Sequence, residues 1–124
     1  MDKEIINLGN PEGLPLSDAV RVGDLVFVSG VVGMTEDGQI VPGGMVAETR
    51  QIFRNIETVL KNAGCVLQDI VKVSVVLTDR SDFDTFNMIY KQIFSQNPPA
   101  RTCTVAGLTI NARVEIDVIA SHAS

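Results

Sequence analysis

Tryptophan is absent from this 124-residue chain, and its aromatics amount to five Phe and one Tyr. That scarcity argues against a sheet that stacks nucleobases and against a carbohydrate platform built on aromatic faces. Cysteine is almost as rare. Cys65 and Cys103 are too few for a disulfide scaffold, no Cys-x-x-Cys occurs, and His122 is the only histidine, so a zinc site made from Cys and His is not expected. Basic residues number 10 against 15 acidic ones, for a formal charge of -5, and they do not cluster. Binding to phosphate backbones or anionic membranes needs clustered Lys and Arg, which speaks against nucleic acid and membrane as partners. No stretch approaches the roughly 18 apolar residues that span a bilayer, and the opening MDKEIINLGN has no apolar run of signal length. Acidic residues are too dispersed for a calcium loop, and the Lys-Ser/Thr step of a phosphate loop is missing. The expectation is a cytoplasmic protein with no metal and no cofactor.

What is present suits one compact core. Apolar residues make up 45% of the chain, no composition break divides it, and the Pro- and Gly-bearing stretches at 9–15 and 42–44 are too short to be linkers, so 1–124 reads as a single domain. A chain of this size buries only about 65% of its unfolded surface, so association with further subunits would add stability.

Hydrophobic spacing supplies the elements. VGDLVFVSG reads as a strand entered through a Gly23-Asp24 turn, with Ser17–Val22 as its hairpin partner and Val26 and Val28 facing opposite to Leu25, Phe27 and Ser29. Residues 45–63 form the clearest helix, with Val46, Thr49, Ile52, Phe53, Ile56, Val59, Leu60 and Ala63 on one stripe, Glu48, Arg50, Arg54, Glu57 and Lys61 on the rest, and Gly64 as terminator. DIVKVSVVLT is a β-branched strand with Val71, Val73, Val75 and Leu77 on one face. Ser81 with Asp84 caps a second helix lined by Phe83, Phe86, Ile89, Tyr90 and Ile93, which Asn97-Pro98-Pro99 stops. Strands at 101–106 and 113–120 follow. The fold class is α+β: one sheet with two helices on one face, the other face partly bare and partly polar and so suited to oligomerisation.

Several residues could carry chemistry. Arg101 opens a strand after NPPA, where a fixed guanidinium presents a fork that matches a carboxylate, though it could equally form an ordinary salt bridge. Glu115 lies inside an apolar run, as a solvated strand residue or as a carboxylate held near Arg101 on the same sheet and relaying a proton, with Asp117 as its competitor. Cys103 shares the direction of Arg101, as a lining residue or, less simply, a nucleophile needing a base that only distant His122 could provide. Ser29-Gly30 ends a strand where backbone can approach a ligand. Asn87 alone reads as a surface residue, Cys65 as packing and His122 as solvent-exposed.

The segments VSG (28–30), NIETVLKNAG (55–64), DIVKVSVVLTD (69–79), FNMIYKQIF (86–94), PPARTC (98–103) and VEIDVIA (114–120) together resemble the reactive-intermediate deaminases, the YjgF/YER057c/UK114 family, over nearly the whole chain. The resemblance implies a chorismate-mutase-like two-layer α+β fold with a mixed sheet, a homotrimer with ligand clefts between subunits, and hydrolysis of imines or enamines of small 2-keto acids, such as 2-iminopropanoate and 2-iminobutanoate, to the keto acid and ammonia. It implies that Arg101 clamps the substrate carboxylate, that Glu115 positions water, and that Cys103, Ser29 and Asn87 line the cleft. An iminium carbon is already electrophilic, so this chemistry needs neither metal nor covalent nucleophile. Three departures bear on the pocket. LPLSDA stands where the family has GPYSQA, so Leu16 replaces a tyrosine and Asp18 a glutamine, and Val31 stands where many relatives have glutamine. An altered substrate such as 2-aminomuconate, or a non-catalytic trimer that binds small carboxylates or regulates a partner, is the alternative, and a ribonuclease the least compatible with the charge.

Overall fold

Strands that alternate apolar and polar residues, and helices with one apolar stripe, can bury those surfaces only against each other. In the computed structural model, which describes residues 2–9 and 13–122, they do so as two layers, two helices packed on one face of a six-stranded sheet. The strands are β1 (Lys3–Ile6), β2 (Ala19–Val22), β3 (Leu25–Val31), β4 (Ile70–Leu77), β5 (Ala100–Val105) and β6 (Val114–Ser121), and the helices are α1 (Gly44–Asn62) and α2 (Phe83–Ile93). Their order across the sheet is β1-β2-β3-β6-β4-β5, antiparallel throughout except for the parallel pair β4–β5. A parallel pair cannot be joined by a hairpin, and α2 forms the crossover between its strands. No helix among the described residues is long and apolar enough to cross a membrane.

α1 ends as its sequence requires. Gly64 takes φ 76°, its N–H donates to the Lys61 carbonyl at 3.1 Å, and the Cys65 N–H donates to the Leu60 carbonyl at 2.8 Å. This paired termination needs a left-handed residue, which glycine adopts without a side-chain clash. The buried stripe differs from the expected one at three residues: Met45 and Glu48 are inside, while Val46 is only partly buried. Apolar spacing treats every glutamate as solvent-facing, and the partner that lets Glu48 go inside, the backbone N–H of Arg113 at 2.8 Å, lies 65 residues away.

The second helix also begins differently from the expectation. Asp79, not Ser81, is the capping acceptor, and it caps the 3-10 turn ahead of α2, whose own first residue follows Asp82 without a side-chain cap among the described residues. The Asp79 carboxylate takes hydrogen bonds from the Ser81 N–H at 2.9 Å and the Ser81 hydroxyl at 2.8 Å, which hold its carboxyl below the usual range. A 3-10 turn, Arg80–Asp82, then leads into α2. Beyond α2, Asn97 adopts φ 49°, a left-handed conformation that asparagine tolerates better than most residues and that turns the chain into the two prolines.

β4 carries a bulge. Ile70 pairs with Ala120 and Lys72 with Ile119, so Val71 is the extra residue and its side chain is 46% exposed instead of sharing the face of Val73, Val75 and Leu77. From Val73 onward the alternation holds. Val73, Val75 and Leu77 of β4 and Val114, Ile116, Val118 and Ala120 of β6 are buried beneath the helices. The opposite face carries Val20, Phe27, Ser74, Val76, Glu115, Asp117 and Ile119, and Leu25 and Phe27 on it are exposed.

Candidate active site

Residues paired directly across a sheet share a face, so the register decides where each candidate points. Arg101 pairs with Val73 and Cys103 with Val75, which puts both on the helix side of edge strand β5. Glu115 pairs with Val76, which puts it on the bare side. The reading that holds the Glu115 carboxylate near Arg101 within one sheet therefore fails for a single chain: the two belong to opposite faces, with β4 between their strands. Each has its own set of neighbours.

Around Arg101 the helix side is aromatic. Its Cζ lies 4.8 Å from the Tyr90 ring centre and 5.8 Å from those of Phe83 and Phe86, and its Nη1 donates to Asn87 Oδ1 at 2.8 Å. Asn87 and Tyr90 are three apart on α2 and reach the same guanidinium. Asn87 is thus no mere surface residue, and Phe83, 41% exposed, and Tyr90 join the group although apolar spacing marked them only as core. The only sequence signal was their offset from Asn87. A charge stacked between rings and fixed by one amide keeps few orientations, and its remaining N–H groups stay available to a carboxylate. Asn87, Met88, Tyr90, Pro99 and Arg101 line a cleft of about 840 Å³. The Tyr90 hydroxyl is buried without a hydrogen-bond partner among the described residues, and burial pushes its pKa up to about 12 against the opposing field of Arg101. Burial likewise raises the Cys103 thiol, with Arg101 pulling it back. A thiol held protonated is a poor nucleophile.

The second group lies at the exit of β3. A β-carbon on Gly30 would stand 2.9 Å from the Glu115 carboxyl carbon and 3.1 and 3.2 Å from its oxygens. Only a residue without a side chain lets the carboxylate lie there. The adjacent Ser29 hydroxyl donates to the Ser17 carbonyl at 2.5 Å, and its N–H donates to the Asp18 carbonyl at 3.0 Å, which fastens the strand to the segment carrying Leu16. Leu16 itself is 51% exposed. The Asp18 carboxylate accepts the Leu8 N–H at 2.7 Å, so it braces the amino-terminal strand. Val31 is partly buried against the core. Asp117, the competitor of Glu115, has its carboxyl raised by burial, with Lys72 opposing the shift.

A third grouping had no sequence signal. Ligating atoms of Cys65, Asp69 and His122 lie within 4.8 Å of one another at the carboxyl end of α1. One Asp69 oxygen accepts the Val66 N–H at 2.9 Å, burial and the Asp69 charge raise the Cys65 thiol, and the positive charge of Arg21 acts on the same thiol. The Cys65 side chain is buried, as expected of a packing residue.

Comparison with known proteins matches these features to one group. The family model described as Endoribonuclease L-PSP covers residues 11–122. A mouse protein named 2-iminobutanoate/2-iminopropanoate deaminase is 45% identical over 108 residues, which are 86% of this chain and 80% of that protein. Among solved structures, yeast Mmf1 superposes with a TM-score of 0.91 at 33% identity, covering 98% of this chain and all of that one (100%). RidA from the Antarctic bacterium Psychrobacter superposes with a TM-score of 0.82 at 38% identity, covering 86% of this chain and 88% of that one.

Proposed function

The chain belongs to the endoribonuclease L-PSP family, the reactive-intermediate deaminases, and on that premise we propose that it hydrolyses 2-imino and enamino acids such as 2-iminobutanoate and 2-iminopropanoate to 2-keto acids and ammonia. The observation that carries this reading is the Arg101 guanidinium, stacked on Tyr90 and held by Asn87 at the rim of an open cleft.

Arg101 grips the substrate carboxylate with two N–H groups and so fixes the adjacent C=N bond. Water adds to the imine carbon, and its proton passes to the Glu115 carboxylate and on to nitrogen, giving a carbinolamine. The hydroxyl proton of the carbinolamine then passes through the same carboxylate to its nitrogen, the C–N bond breaks as the carbonyl forms, and ammonia leaves.

Because Arg101 and Glu115 occupy opposite faces of one sheet, one chain provides two half-sites. We infer that a homotrimer joins them, the helix-side edge of one subunit meeting the bare face of the next. The exposed Leu25 and Phe27 on that bare face suit burial against another copy. The formal charge of -5 and the lack of a basic cluster disfavour RNA as the substrate.

The test is ammonia release from 2-iminobutanoate generated in place by an amino-acid oxidase or dehydratase. Wild-type protein accelerates release, and Arg101→Ala abolishes the acceleration while the assembly stays intact. Full activity in Arg101→Ala rejects the clamp. Leu16, which offers no hydroxyl where relatives carry one, supports a second reading with a larger or more apolar acid, and activity confined to a muconate-like enamine would select it.

A further inference from the structure

We propose that Glu48 is a positioning residue that sets the Glu115 carboxylate against Gly30. The proposal rests on the deaminase reading and concerns its proton-relay half. Glu48 is 5% exposed, and among the described residues it is the one charged side chain that is buried. A carboxylate in that place is costly compared with an apolar side chain, unless its oxygens are used. They are. Oε1 accepts the Arg113 N–H at 2.8 Å, and Oε2 lies 3.8 Å from Arg113 Nε. The Arg113 carbonyl in turn accepts the Thr78 N–H at 3.0 Å and the Thr78 hydroxyl at 3.3 Å. Both peptide groups of Arg113 are therefore held just before β6 begins, two residues upstream of Glu115.

The same helix holds the opposing strand. A β-carbon on Gly33 would lie 2.9 Å from both the Cα and the carbonyl oxygen of Glu48, so the exit of β3 rests directly on α1. Asn55, two turns further along α1, donates from Nδ2 to the carbonyls of Met34 at 2.9 Å and Val32 at 3.3 Å. α1 thus grips β3 after Gly30 and β6 before Glu115, and it fixes how the two strands meet at that contact. The carboxylate occupies the space that a β-carbon on Gly30 would need, 2.9 Å from its carboxyl carbon, so a shift between the two strands moves the carboxylate relative to that backbone. Arg113 Nη1 also lies 3.8 Å from Asp82 Oδ2, just before α2, but none of these contacts is made to Arg101 or Asn87 themselves, whose mutual hydrogen bond joins β5 to α2. Loss of the Glu48 acceptor should therefore disturb the chemical step and leave carboxylate binding alone.

The experiment compares Glu48→Gln, Glu48→Asp and Glu48→Ala for kcat and KM on 2-iminobutanoate, and for affinity and sites per chain toward 2-oxobutanoate by calorimetry. Gln keeps an oxygen at the reach of the Arg113 N–H, so its kcat stays close to wild type. Asp is one methylene short and Ala has no acceptor, so both lower kcat about tenfold or more, a loss typical of a misplaced catalytic group. KM, affinity and site number stay unchanged in all three. If Ala does not fold, the order Gln above Asp still decides, since a role resting on charge alone would reverse it. Undiminished kcat in Asp, or a kcat loss matched by an equal loss of binding sites, overturns the assignment. Wild-type protein inactive on every 2-imino acid would instead overturn the deaminase reading itself.

Discussion

Gly30 and Glu115 are in such close contact that the side chain glycine lacks would start 2.9 Å from the glutamate's carboxyl carbon. The atom met is the end of a flexible side chain, so an added methyl group displaces the carboxylate more readily than it displaces backbone. Gly30→Ala is therefore expected to cost about 1 kcal/mol or less in stability and to lower kcat by at least about tenfold. Thermal unfolding beside steady-state kinetics checks both. A variant that unfolds well below wild type, with full specific activity in the folded fraction, would contradict this account.

Arg101 owes its orientation to Asn87 and Tyr90, and among the described residues it has no acidic partner. Arg101→Lys keeps the charge but loses the planar fork, and KM is expected to rise about a hundredfold. Asn87→Leu removes the 2.8 Å acceptor while filling the space, and a rise in KM of about tenfold is expected, the effect of losing one hydrogen bond to a charged group. Should Lys serve as well as Arg, a point charge suffices and the bidentate clamp is wrong.

If the two half-sites come from different subunits, two dead variants should rescue each other. Arg101→Ala and Glu115→Gln are each expected to be inactive. Co-expressed in equal amounts as random trimers, they should recover about a quarter of wild-type activity, because one in four interfaces pairs an intact arginine with an intact glutamate. No recovery in verified mixed trimers would place both groups in one subunit's half of the site.

Tyr90 provides a pH dependence with a definite sign. Its phenol is raised to about 12 by burial, above the ordinary 10 of an unfolded chain. The folded state therefore holds the proton longer, and this stability contribution is complete below pH 10 and lost as pH rises toward 12. Tyr90→Phe should lack this decline, with a difference between the two proteins on the order of 2 kcal/mol across that window. Near pH 7 the variant should be as stable as wild type or slightly more so, since the hydroxyl it removes has no hydrogen-bond partner among the described residues. Chemical denaturation at pH 8, 10 and 11.5 tests this, and parallel declines in both proteins would refute it.

The elements were largely legible because local rules produce them. The three-and-four spacing of α1, the Gly64 terminator and the β-branched run of β4 each act over a few residues. The misreadings share one cause. Glu48 is buried by an amide 65 residues away, and Val71 is exposed by a bulge that depends on how β4 meets β6. Neither partner lies within the window that periodicity inspects. Asn87 and Tyr90 were visible as helix residues, but their common contact with Arg101 exists only once α2 crosses from β4 to β5.

Amino-acid order alone determined which residues alternate, which recur each turn and where the chain must bend, because those properties follow from backbone sterics and local burial. It also determined that Arg101 and Cys103 point the same way, two residues being the repeat of a strand. Alternation also pointed Val73, Val75 and Leu77 of β4 toward the helices, but which face β5 turns to them was settled only by strand pairing. The pairing sets Arg101 beside Val73 and Glu115 beside Val76, and so divides the guanidinium from the carboxylate across the thickness of the sheet. Register is a relation between distant segments, fixed by the joint burial of many side chains, and no single segment contains it.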